Sequence, residues 1–249
     1  MDVNSALKSE LERQDLASFL QTREPDLWAA SRLVSEDAAR LDLEAVFCLE
    51  HQWRHVGQRT ANPLMAQIRL AWWREQIVAV AAGRSPGDHP ALTRLAPRLI
   101  AGALDADRLD SALEACQDAF EDHPLEDETA LLRHVASLAK VRVAAGLMLD
   151  LKADAEALHR SAKVAVIGRL IPLANAYWIP RSWRDAGEAA ARLRLTSLLT
   201  QAIKDARTGP RVSEKAFPAI AESTLYTGKD QGPVVNRAKL LWASVRGRI

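Results

Sequence analysis

Apolar residues recur at spacings of three and four in one segment after another of this chain, and short Gly- and Pro-containing breaks divide the segments. That period belongs to helices with one buried face, and β-branched runs are short. Residues 35–56 read as the first clear helix, with Ser35 as N-cap, Glu36 and Asp37 in the first turn, and Gly57 as its stop. Leu41, Ala45, Leu49 and Val56 give it one apolar face. Asn62-Pro63 opens a second helix over 62–82, whose expected core stripe is Met65, Ile68, Trp72 and Gln76. Further helices are expected at 90–104, 107–121, 126–149, 153–175, 186–206, 214–226 and 234–245. None of the breaks has the length or composition of an interdomain linker. The expectation is an all-α, single-domain bundle over 1–249.

Composition narrows the function classes. With 48% hydrophobic residues the 249-residue chain has ample material for a core. Lys plus Arg is 33 against 32 for Asp plus Glu, so the formal charge of +1 supplies no field to gather nucleic acid. Cys48 and Cys116 stand apart, without neighbours at metal-ligand spacing, which suggests neither a zinc site nor a disulfide framework. The start of the chain is polar and acidic, unlike a signal peptide, and no apolar run reaches the roughly 18 residues of a membrane span. A cytoplasmic protein is expected.

The most distinctive stretch is Pro63-Leu64…Ile68-Arg69-Leu70…Trp72-Trp73-Arg74-Glu75, preceded by Phe47-Cys48-Leu49-Glu50 and followed by His89-Pro90-Ala91-Leu92. On spacing alone this is a core helix whose arginine stems pack on indole rings. The pattern also resembles the squalene/phytoene synthase family. Arg160, Arg169, Pro172, Trp178-Ile179-Pro180 and Phe217-Pro218-Ala219…Tyr226 follow in that family's order, so the resemblance covers about 27–226. It implies an isoprenoid-synthase-like helical bundle.

That family ionises a prenyl diphosphate with magnesium held by two DxxxD motifs on facing helices, a spacing that puts both carboxylates on one face. Aligning Phe47-Cys48 places Gln52 and Val56 at the first pair of acids, and Arg169 places Leu170 and Ala174 at the second. No Asp or Glu occurs from 157 to 184. Neutral side chains do not replace oxygen ligands of a hard cation, so neither a metal nor a cofactor is expected; magnesium enters only if the chain is a diverged prenyltransferase. Asp118/Asp122 and Asp150/Asp154 also have DxxxD spacing, but read as solvated charge near helix ends.

Glu50 matches a Phe-Asn-x-Glu pattern of a noncatalytic branch, although Cys48 departs from its Asn. It either pairs with Arg69, Arg160 or Arg169 across a remnant of the diphosphate site, with Trp73 beside them and Arg74 at its edge, or forms an (i, i+4) surface pair with Arg54. His51 and His55 have ligand-like spacing but read as a partly exposed pair. The basic segment from Lys229 to Ile249, with an amphipathic helix at about 234–245, reads as closing the core or as an interfacial helix at the inner membrane. Two functions follow from the resemblance. One is a noncatalytic assembly or isoprenoid/quinone-binding factor, like the mitochondrial complex I assembly factor of the family, with a respiratory complex subunit or a lipid as partner. The other is a prenyltransferase joining prenyl diphosphates head to head.

Overall fold

The structure is a computed structural model that describes residues 15–56, 62–118, 125–173 and 179–227. Its helices are α1 (Leu16–Arg23), α2 (Pro25–Ser31), α3 (Asp37–His55), α4 (Pro63–Ala81), α5 (Pro90–Ile100), α6 (Ala106–Asp118), α7 (Glu128–Leu149), α8 (Ala155–Leu170), α9 (Arg181–Asp185) and α10 (Glu188–Thr208). Three 3₁₀ turns, Ile171–Leu173, Phe217–Ala219 and Ala221–Thr227, complete it, and no strand occurs among the described residues.

Short polar side chains start half of these helices by satisfying first-turn N–H groups. Asp15 accepts from the Ser18 amide at 2.7 Å, Asn62 from Leu64 at 3.0 Å and Asp127 from Ala130 at 2.8 Å. Asp154 caps α8 by accepting from both the Glu156 and the Ala157 amides at 2.9 Å. Asp150 closes α7 and accepts from the Ser213 hydroxyl at 2.6 Å, so the Asp150/Asp154 string is a pair of helix-end devices. Asp118 ends α6, and Asp122 lies outside the described residues. Glu36, not Ser35, stands at the N-cap of α3 and makes no capping bond.

Several expectations are corrected. The segment 214–226 is not an α-helix but two 3₁₀ turns around Pro218, whose ring and missing N–H interrupt the ladder. Pro172 likewise ends α8 at Leu170 and turns Ile171–Leu173 into a 3₁₀ turn. Residues 174–178, with Ala174 and Trp178, and the proposed 234–245 helix fall outside the described residues. In α4 the core stripe is Ala66, Leu70, Trp73, Ile77 and Val80, while Leu64, Met65, Ile68 and Trp72 are exposed. The helix carries two apolar stripes at helical spacing. The one with small Ala66 at the contact and Leu, Trp, Ile and Val following at intervals of four and three packs inward.

One contiguous core runs from Phe19 through α3 to α8 and on to Ala221. The helix pairs α6–α7, α7–α8, α8–α10 and α4–α6 pack side by side, α3 rests on α5, and the 221–227 turn lies along α8. That last contact requires Gly168: a Cβ there would fall 2.3 Å from the Tyr226 ring. Buried charges fasten the outer seams. Asp42 of α3 accepts from Arg94 Nε at 2.6 Å and Arg98 Nε at 2.7 Å of α5, and Glu44, fully buried, accepts from Ser31 Oγ at 2.8 Å and pairs with Arg32.

Candidate functional site

A cavity of about 540 Å³ opens between α3, α6, α7 and α8, with the α1–α2 junction and the 221–227 turn at its rim. α4 does not line it; it stands one layer behind, where the Trp73 ring meets the edge of Trp53 at 6.3 Å. Trp53, Ala112, Leu138, Val141, Val166 and Leu170 give the cavity an apolar wall. Its other end is ionic: Arg23, Glu24, Glu50, Arg54, Arg169 and Glu222.

Four of the charges close a ring of alternating sign. Glu50 Oε1 accepts from Arg169 Nη1 at 2.8 Å, and Oε2 lies 2.5 Å from Arg142 Nε in an ion pair whose N–H is not aimed at the oxygen. Arg142 Nη2 donates to Glu222 Oε2 at 3.1 Å, and Arg169 Nε donates to Glu222 Oε1 at 2.7 Å. Arg142 also lies over the Phe47 ring at 4.5 Å and donates to the Ala219 carbonyl at 3.3 Å. Glu50, Arg142 and Glu222 are all buried. Burial pushes the Glu50 carboxyl up, but the Arg142, Arg169 and Arg54 guanidiniums outweigh it and hold it at about 2. Arg169 is held well above its ordinary value: burial lowers it, and Glu222, Glu50 and Glu24 more than compensate.

A second group sits at the mouth. Glu24 Oε1 lies 2.7 Å from His51 Nδ1 and accepts from Arg54 Nη2 at 2.6 Å. Burial opposes its ionisation, yet these two partners keep it well below the usual carboxylate range. Neighbouring His55, and His134 deeper on the wall, are lowered to about 4, chiefly by burial.

The structure thus brings Glu50 and Arg169 together and places the other expected site residues elsewhere. Arg160 pairs with Glu156 at 3.2 Å and packs its guanidinium against Gly209. Arg74 clasps Asp110 with two bonds, of 2.7 and 2.9 Å, on the outer face of α4. Arg69 has a buried Nη1 without a hydrogen bond and makes no ion pair among the described residues. Trp73 meets Trp53, Trp72 and His89 rather than the ionic ring. Arg54 touches Glu50 only at 3.7 Å, so the surface pair is not the principal contact.

The positions expected to have lost their acids also divide. Leu170 lines the cavity, but Gln52 and Val56 do not. At 100° per residue, Gln52 points about 200° away from Glu50, and its Oε1 accepts from His89 Nε2 at 3.2 Å. Glu50, Trp53 and Arg54 are the positions of α3 that face inward. Sequence reasoning missed Arg142, Glu222 and Glu24. The first two carried a signal: each is the lone charge in an apolar run, Val141-Arg142-Val143-Ala144 and Ala219-Ile220-Ala221-Glu222, where burial demands a partner.

Comparison with solved structures finds a dehydrosqualene synthase crystallised with a ligand, at a TM-score of 0.69 and 12% identity, covering 98% of each chain. The chain has the fold of a dehydrosqualene synthase. No protein-family model matches it, and no curated protein sequence does. The likeness is therefore one of backbone architecture, and the contents of the cavity are this chain's own. No described helix is long and apolar enough to cross a membrane.

Proposed function

We propose that the chain is a noncatalytic protein of isoprenoid-synthase fold that holds an uncharged isoprenoid or quinone tail in the α3–α8 cavity. The observation that carries this is the internal neutrality of the ionic end. Four carboxylates, Glu24, Asp26, Glu50 and Glu222, stand against four guanidiniums, Arg23, Arg54, Arg142 and Arg169, and the ring charges are committed to one another. A magnesium cluster needs surplus carboxylate oxygens and a free diphosphate needs surplus cations; among the described residues this site offers neither. The apolar wall and volume suit a polyisoprenoid chain.

Titration of the purified protein with geranylgeraniol and with a short-tailed quinone, followed by Trp fluorescence, is expected to show saturable binding that Leu138→Trp abolishes. Geranylgeranyl diphosphate with magnesium is expected to bind more weakly and not to be consumed. Magnesium-dependent product formation overturns the proposal in favour of a diverged prenyltransferase. The resemblance to an assembly factor adds that the loaded protein serves a respiratory complex, which affinity capture with a complex I subunit as bait tests.

A further inference from the structure

Every histidine among the described residues but one has a hydrogen-bond partner. His51 meets Glu24 Oε1, His55 the His51 carbonyl, His89 the Gln52 Oε1 and His159 the Ala136 carbonyl. His134 of α7 is only 8% exposed, yet it makes no hydrogen bond or ion pair among the described residues. We propose that His134 is the anchor of the α3–α8 cavity, where its ring holds the uncharged oxygen of a prenyl alcohol or a quinone by a hydrogen bond.

A buried polar group without a partner is a cost that a ligand removes. His134 lines the cavity, and its ring nitrogens are not sealed off by packing as His51 Nε2 is. Leu138 and Val141 follow it at four and seven residues and line the same cavity. A leucine at 134 would continue that apolar stripe, so the imidazole is a polar break in a wall otherwise suited to hydrocarbon.

The chemistry of the ring selects the ligand. Burial lowers His134 to about 4, so at neutral pH it carries no charge and offers one N–H donor and one bare nitrogen. An uncharged ring cannot neutralise a diphosphate, but it matches a neutral oxygen. An alcohol hydroxyl can use either nitrogen, whereas a quinone carbonyl can use only the N–H. The ionic ring does not compete for this role. Its charges are committed to one another, and Arg142 stands two turns along α7 from His134, roughly 12 Å by helix rise. Leu138 and Val141 lie between the two sites and give the tail its wall.

This inference rests on the isoprenoid reading, and its test separates the two. The full chain is titrated at pH 7 with geranylgeraniol, with the hydrocarbon of the same skeleton that lacks the oxygen, and with a short-tailed quinone. Wild type is expected to bind the alcohol and the quinone about five- to tenfold more tightly than the hydrocarbon, the worth of one neutral hydrogen bond. His134→Leu, which keeps the bulk, is expected to erase that preference while still binding all three. His134→Gln, which keeps a donor and an acceptor, is expected to restore part of it, and His159→Ala to leave it unchanged. The infrared carbonyl band of the bound quinone is expected at lower frequency in wild type than in His134→Leu, a signature that a merely structural role would not move. Circular dichroism checks that each variant folds. If all three ligands bind but wild type shows no preference, or His134→Leu retains it, the anchor is overturned and the isoprenoid reading stands. If none binds to wild type, both fall.

Discussion

At the scale of single residues, the ionic ring is a liability that each member holds in check for the others. Removing one charge from a buried pair strands its partner, which costs more than the pair itself contributes. Glu50→Ala leaves Arg142 and Arg169 sharing Glu222 alone, so a stability loss of about 3–5 kcal/mol is expected by denaturant unfolding. A loss below about 1 kcal/mol, the value of a surface pair, would show that the ring is solvated. The histidines set a second response, to acid. His134 and His55 are held neutral at about 4 against an ordinary 6.5, so the unfolded chain binds more protons between those values. Their contribution is complete above pH 6.5 and is lost as pH falls towards 4, by on the order of 3 kcal/mol for buried His134. Glu50 adds to this only below 4.5, where its carboxylate begins to protonate in the unfolded chain. Urea midpoints measured from pH 7 to 4 are expected to fall, and His134→Leu to flatten the upper part of the slope.

At the scale of elements, the positions that matter join helices rather than form them. Asp42 ties α3 to two turns of α5, and since its arginine partners are partly exposed, Asp42→Asn is expected to cost about 1–2 kcal/mol. Gly168 lets the 221–227 turn lie on α8; Gly168→Ala is expected to cost about 1–3 kcal/mol by overpacking and to displace Tyr226, which near-ultraviolet circular dichroism detects. Helix existence was legible because period, caps and prolines are local: Asn62-Pro63, Asp154 and Gly83 mark boundaries that the structure keeps within a few residues. The face a helix turns inward was less legible. In α4 both stripes are apolar, and only the neighbours α5 and α6 decide between them. The same limit governs α3, where an alignment on Phe47-Cys48 pointed to Gln52 and Val56 while the cavity is faced by Glu50, Trp53 and Arg54. Glu24 could not be paired with His51 from sequence, because their contact depends on how α1 and α2 fold back over α3.

At the scale of the whole molecule, the cavity is assembled from both ends of the described chain, from Arg23 to Tyr226. The Glu50–Arg169 pair joins residues 119 apart, and Arg142 finds Glu222 across 80. Such contacts form only after large loops have closed. A chain ended before Phe217 retains α1 to α10 but not Glu222, and is expected to expand and to bind a hydrophobic dye, as gel filtration and fluorescence will read. For a chain emerging from the ribosome at about 5–20 residues per second, Arg142 waits roughly 4–16 seconds for its second carboxylate. During that interval the inner wall of the cavity is open on the side that the last turns will cover. The segment 217–227 is thus the latch of the fold, and the stage at which a lipid or a helper protein would most readily gain entry is during synthesis, before the latch has arrived.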